Sequence, residues 1–143
     1  KILKLNTLIM HKQRDYSKVN CVEESIIIGD TVNLKGKTAI ILDDMCDTGG
    51  TLIKACETLV KNGATNVIAI VTHGILSGKA LERINNCDHL TKIVVSDSIP
   101  QEFNKEICNK LDVFSIGNLL AGAIQKLHSS ESLSDLFKVI KSG

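Results

Sequence analysis

The apolar positions of this chain change period near residue 42, and the change divides it into two kinds of segment. Leu8-Ile9-Met10 is the first continuous apolar run. It gives way at once to polar, charged residues 11–20, which predicts a short strand followed by a loop. Residues 25–28 and 38–42 are β-branched runs separated by Gly29-Asp30 and Lys35-Gly36-Lys37, compatible with a hairpin-like excursion into the main sheet. After Leu42 the spacing turns helical: Leu52, Ala55, Cys56, Leu59 and Val60 share one face, and Asn62-Gly63 stops that helix. Residues 67–71 form a continuous apolar run, as expected of a strand buried on both faces of a parallel sheet. Further strands are expected at 93–95 and 113–115, and further helices at 79–85, 101–109, 119–127 and 134–140. Strands alternating with helices predict an α/β fold, a mostly parallel central sheet with flanking helices, in one domain over residues 1–143.

Composition narrows the classes this fold serves. With 143 residues, 43% of them hydrophobic and only 3% aromatic, the chain has enough aliphatic material for one packed core. The formal net charge is +1 and the lysines are scattered, so no basic groove for nucleic acid and no polybasic membrane patch is expected. Five cysteines, without a C-x-x-C pair, argue against a zinc site or a disulfide framework and fit a reducing, cytoplasmic compartment. No apolar run approaches the roughly 18–20 residues that span a bilayer. The chain opens at Lys1, already inside spaced apolar residues, which reads as a fragment or processed product.

The segment from Thr38 to Thr51 carries the chemistry: an apolar strand, an acidic pair, a Thr/Gly turn, then a helix. Gly49 and Gly50 permit positive φ and leave backbone N–H groups open to a ligand. Thr48 and Thr51 bring hydroxyl donors, and the following helix aims its positive end at the turn, which suits a phosphomonoester. Asp43 and Asp44 are acceptors, wrong for phosphate and right for sugar hydroxyls. Neighbouring strand residues face opposite ways, so one Asp is expected to meet the ligand while the other braces the turn. Phosphate donors beside diol acceptors are what a ribose 5-phosphate needs, and the loop lies where parallel sheets bind ligands, beyond the C-terminal strand ends.

Asp43-Asp44-Met45-Cys46-Asp47-Thr48-Gly49-Gly50-Thr51 resembles the phosphoribosyl-binding motif of type I phosphoribosyltransferase-like folds. His11-Lys12-Gln13-Arg14 resembles the Lys-x-Arg catalytic loop of the ribose-phosphate pyrophosphokinases. The segments Thr72 to Gly78, Ser98 to Gln101 and Glu131 to Phe137 match that family in the same order, so the resemblance covers nearly the whole chain. The family's reaction moves the β,γ-pyrophosphoryl group of ATP to the 1-hydroxyl of ribose 5-phosphate, giving phosphoribosyl pyrophosphate and AMP. By resemblance, Asp47, Thr48, Gly49, Gly50 and Thr51 hold the sugar 5-phosphate, and Asp43 and Asp44 the ribose hydroxyls. Lys12 and Arg14 would close over ATP, as cations suited to charge building on the transferring group. The resemblance also implies Mg2+, phosphate or ADP as effectors, and a homo-oligomer. It further implies an upstream homologous domain with adenine contacts, a metal-binding His and an Asp-Ala-Gly-type loop, none of which this chain contains.

Plainer readings stand beside these. Asp43-Asp44 also suits a strand-to-helix cap, and Lys12 and Arg14 also suit solvated loop positions. Ser132 and Ser134 match positions that contact an allosteric phosphate in the family, and equally read as a capping-box-like helix start. Gly36-Lys37-Thr38 imitates the end of a G-x-x-x-x-G-K-[ST] loop, but Thr31 stands where the first Gly is required and a strand is expected to follow. His73 has no metal-ligand spacing around it and reads as a structural or supporting residue, and Cys46 as a small packed one. Two other functions compete: an ordinary phosphoribosyltransferase, and a non-catalytic regulatory homologue.

Overall fold

The computed structural model describes residues 5–13, 24–29 and 34–137, with backbone only for 11–13, 24–28 and 137. Strands β1 (Ile9–Gln13) and β2 (Glu24–Ile28) pair with each other in antiparallel fashion. The main sheet runs β3 (Thr38–Cys46), β4 (Asn66–Gly74), β5 (Leu90–Ser96) and β6 (Leu111–Phe114), in that spatial order and all parallel. Helices α1 (Gly50–Lys61), α2 (Ala80–Asn85) and α3 (Glu102–Ile107) connect successive strands, and α4 (Gly117–His128) leads into a 3-10 turn at Leu133–Phe137. The mostly parallel α/β architecture expected from the alternation is therefore the one observed.

Register explains the core. Ala39 lies beside Val67, Ile41 beside Ala69, and Val71 beside Val95, so odd-numbered positions of β3 and β4 share one face. That face packs against Leu52, Cys56 and Leu59 of α1 and Ala80 and Ile84 of α2. Val67, Ala69, Ile93 and Val95 are completely buried there, and each such Val or Ile contributes about 1.5–3 kcal/mol relative to exposure. The opposite face differs from expectation: Ile68 and Ile70 are half-buried, and Leu42 is 75% exposed. The run 67–71 is thus apolar on both sides while the helices seated on it lie on one. Helix α4 has the apolar periodicity expected for 119–127, yet none of its residues is buried, and Leu119, Leu120, Ile124 and Leu127 are all exposed.

The stop at Asn62-Gly63 is as expected and has a full geometric account. Gly63 takes φ 104°, its N–H reaches the Val60 carbonyl at 2.9 Å, and Ala64 N–H reaches Leu59 at 3.1 Å. These are the paired bonds that close a helix through a left-handed residue.

Five expectations need correction. Residues 11–13, read as loop, continue β1, because the ladder to β2 (Met10 beside Ile27, Lys12 beside Ser25) satisfies their backbone whatever their polarity. The 25–28 run pairs with β1 and the 38–42 run with β4, so the two do not form a hairpin. Strand β3 does not stop at Leu42; it runs through Asp43 and Asp44 to Cys46, opposite Gly74. The last strand begins two residues earlier than expected, and the last helix is a 3-10 turn; its expected continuation over 138–140 lies outside the described residues. Thr38 opens a strand, which is inconsistent with a Walker-type loop at Gly36-Lys37.

Candidate functional site

The turn between β3 and α1 is shorter than the sequence suggested: Asp47, Thr48 and Gly49 alone leave the sheet and enter the helix. Gly49 caps α1 in the left-handed region, at φ 75°. A Cβ there would meet Ala80 at an ordinary 3.5 Å, so the backbone rather than space calls for glycine. Gly50 begins the helix and takes no positive φ, so of the two glycines that permit it only Gly49 uses that freedom. Helix α1 has 12 residues, no side-chain cap and no acidic residue in its first turn. Its first N–H groups and positive dipole end therefore face the turn, with no acidic residue in the helix's own first turn. Thr48 and Thr51 are exposed beside it.

Asp43 and Asp44 sit at the C-terminal end of β3, both exposed. Asp43 shares its face with Val71 and accepts the Asp44 N–H at 3.0 Å. Among the described residues the Asp44 side chain makes no hydrogen bond or ion pair. The two carboxylates thus differ: Asp43 is engaged with the backbone beside it, and Asp44 is open.

Two residues that the sequence did not single out hold the turn from beneath. The connection after β4 presses against it: Ile75 and Leu76 N–H both reach the Cys46 carbonyl at 3.0 Å, and Ser77 N–H reaches the Asp47 carbonyl at 3.0 Å. The Ser77 hydroxyl donates to Asp47 Oδ1, and Arg83 Nη1 donates to the Thr48 carbonyl at 2.6 Å. Leu76, buried, is forced to φ 52° to make this approach, a conformation that costs a branched residue about 1–2 kcal/mol. Such strain is retained where surrounding contacts over-determine it. Ser77 lay within a matched segment without a role. Arg83 is one of only two arginines in a chain rich in lysine, and that scarcity was the sole signal pointing to it.

Behind the turn, buried Gln101 donates to the Gly74 carbonyl at 2.6 Å and Asn104 to Gln101 at 2.8 Å, fixing the end of β4. His73 Nδ1 lies 2.8 Å from Ser98 Oγ, whose neighbour Ser96 donates to the Thr72 carbonyl at 2.6 Å. Burial pushes the Cys46 thiol up from its ordinary value, keeping it protonated and inert inside the fold.

The other candidate residues are placed elsewhere or not described. Lys12 lies in β1 opposite Ser25, with its backbone alone described, and Arg14 lies outside the described residues. Ser132 Oγ accepts the Ser134 N–H at 3.2 Å at the start of the 3-10 turn, which realises the capping reading. No group of three or more His, Cys, Asp or Glu side chains converges on a metal-sized site among the described residues. Nor is any described helix long and apolar enough to cross a membrane.

Comparison with known proteins places the chain in a family. Ribose-phosphate pyrophosphokinase 3 of Saccharomyces cerevisiae is 46% identical over 95% of the chain, which spans 41% of that protein. Ribose-phosphate pyrophosphokinase A of Dictyostelium discoideum is 44% identical over 93% of the chain and 40% of its own length. The chain therefore spans about two-fifths of these curated relatives. The crystal structure of phosphoribosylpyrophosphate synthetase from Mycobacterium smegmatis superposes with a TM-score of 0.67 at 37% identity, over 75% of this chain and 34% of that one. The family model described as Phosphoribosyl synthetase-associated domain matches residues 6–138, and the chain belongs to that family.

Proposed function

We propose that this chain supplies the ribose 5-phosphate site of a ribose-phosphate pyrophosphokinase. The enzyme transfers the β,γ-pyrophosphoryl group of ATP to the sugar 1-hydroxyl, giving phosphoribosyl pyrophosphate and AMP. The observation that carries the reading is the turn itself: Gly49 at φ 75° at the start of α1, which no side chain caps, tied down by Ser77 and Arg83. Backbone N–H groups there and the hydroxyls of Thr48 and Thr51 take the 5-phosphate, and Gly50 keeps the approach open. Asp44, with Asp43 behind it, accepts from the ribose hydroxyls. The names of the relatives favour this over a nucleobase-consuming phosphoribosyltransferase or a regulatory homologue.

Lys12 and Arg14 are the cations we assign to the ATP phosphates. Charge-assisted hydrogen bonds of this kind contribute about 1.5–3 kcal/mol each. Mg2+ enters, in this reading, with the ATP phosphates, for which one or two protein carboxylates suffice. Ser132 and Ser134 are proposed to meet an effector phosphate or ADP in a cytoplasmic homo-oligomer. The isolated chain is expected to lack turnover.

Titration calorimetry with ribose 5-phosphate tests the site directly. Weak binding to the chain is expected, lowered at least about fivefold in Asp47→Ala, which also releases Ser77. Equal affinity of variant and parent, or no binding at millimolar ligand, would remove the turn from the reading. For the whole enzyme, ATP and ribose 5-phosphate should yield AMP, and Arg14→Ala should lower the rate. An unchanged rate sinks the catalytic assignment.

A further inference from the structure

Two cysteines outside the phosphate turn meet across the helix layer. Cys56, on the inner face of α1, is fully buried, and Cys87, just after α2, is half-buried. The Cys87 thiol donates to Cys56 Sγ at 3.7 Å, so the sulfurs touch with nothing between them. The Cys87 backbone is held in place. Its N–H reaches Ile84 at 3.3 Å, and its carbonyl accepts Leu90 N–H at 3.0 Å and Lys110 Nζ at 2.7 Å. Lys110 also donates to the Ile84 carbonyl at 3.3 Å. Cys87 in addition lines an open surface pocket of about 470 Å³ with Ile53, Glu57, Lys79, Arg83 and His89, so small solutes reach its side of the pair.

We infer that Cys56 and Cys87 are a reversible redox pair, which a hydroperoxide closes into an intramolecular disulfide between α1 and the segment following α2. Cys87 sulfur attacks one oxygen of hydrogen peroxide as its thiol proton leaves; the O–O bond breaks, giving Cys87 sulfenic acid and hydroxide, which takes up that proton as water. Cys56 sulfur then attacks Cys87 sulfur; the S–O bond breaks and hydroxide departs with the Cys56 proton as a second water. In sum, two thiols and one peroxide give one disulfide and two waters, with two electrons passing from sulfur to oxygen. A dithiol reductant reverses it by exchange. The order follows from access: Cys87 faces the open pocket and meets the oxidant, whereas Cys56 is fully buried, and that burial, then the neighbouring Cys87, push its thiol up to about 12. The pairing needs nothing from the proposed ribose-phosphate site. It suits a reducing compartment, where disulfides are transient and signal redox state.

The experiment uses the full reduced chain, treated with equimolar hydrogen peroxide, blocked with N-ethylmaleimide and mapped by mass spectrometry without reduction. A peptide containing Cys56 joined to one containing Cys87, two hydrogens lighter than their sum and separated by dithiothreitol, is the expected product. The oxidised chain should melt about 5–10 °C higher than the reduced one. In Cys56→Ala the rise should vanish, and Cys87 should be trapped by dimedone as the sulfenic acid. Both cysteines remaining free while others oxidise, or either joining Cys21, Cys46 or Cys108, would overturn the inference. The map of the unsubstituted chain decides this even if a variant fails to fold.

Discussion

Gly74 closes the end of β4 beneath the turn from Asp47 to Gly49, and replacing it with alanine tests the packing that positions that turn. A Cβ there would lie 2.9 Å from Val95 Cγ1, 3.1 Å from Val95 Cβ and 3.2 Å from Gln101 Nε2. Carbon atoms rest at about 3.5–4.0 Å, so the new methyl overlaps Val95 by more than half an ångström. Neither neighbour can swing away: Val95 is completely buried and Gln101 is 3% exposed. Overpacking of this kind costs about 1–3 kcal/mol. Displacing Gln101 also breaks its 2.6 Å bond to the Gly74 carbonyl inside the fold, adding about 1 kcal/mol. The sum of about 2–4 kcal/mol should lower Tm by roughly 6–15 °C in a chain of this length. Urea and thermal denaturation followed by circular dichroism measure it. Val95→Ala opens the space, so in that background Gly74→Ala should cost at least about 1 kcal/mol less. Gly36→Ala is the contrast, with φ +75° and no atom within 4 Å; its cost of about 1–2 kcal/mol is backbone strain alone. A Gly74→Ala midpoint within about 0.5 kcal/mol of the parent, or an additive cycle with Val95→Ala, refutes the reasoning.

Two further outcomes follow from the site and its support. Arg83→Ala removes the brace on the Thr48 carbonyl; because Arg83 is exposed, the loss is about 0.5–1.5 kcal/mol, a two- to tenfold weaker ribose 5-phosphate affinity by calorimetry. Arg83→Lys should recover part of it, and an unchanged affinity in Arg83→Ala would detach this residue from the turn. The Ser115 hydroxyl, then the Ile116 N–H at 2.9 Å, hold the Asp97 carboxyl below its ordinary 3.8. A carboxylate with a depressed folded value stabilises above the unfolded value and loses that contribution as pH falls through the folded one. Stability should therefore fall below pH 3.8 in the parent, and less steeply in Asp97→Asn, as read by denaturation midpoints across the acid range. Equal slopes would contradict the assignment.

The fold class, helix α1 with its Gly63 stop, and the presence of a Thr/Gly turn before that helix were legible in the residues alone, because each depends on local rules. Apolar spacing sets a period, glycine permits a left-handed φ, and a Thr/Gly turn before a helix exposes N–H groups. Matched motifs carried the family. What the residues did not reveal is contact between segments distant in sequence. Strand β3 runs past Asp43 and Asp44 because Met45 and Cys46 find ladder partners in His73 and Gly74, and hydrogen bonding of the backbone is indifferent to the polar side chains it carries. β2 pairs with β1 rather than with β3, a choice between ladders that propensity cannot rank. Ser77 and Arg83 became visible only when the β4–α2 connection was laid against the turn. Cys56 and Cys87, 31 positions apart, became a pair only when α1 and α2 packed together. Sequence determined the alternating α/β pattern, helix α1 and the turn that follows β3; tertiary structure decided which strand pairs with which, which apolar faces are covered, what holds the turn and which thiols meet. The physical reason is that local conformation depends on a residue and its near neighbours, whereas pairing and bracing depend on where the whole chain brings distant backbones together.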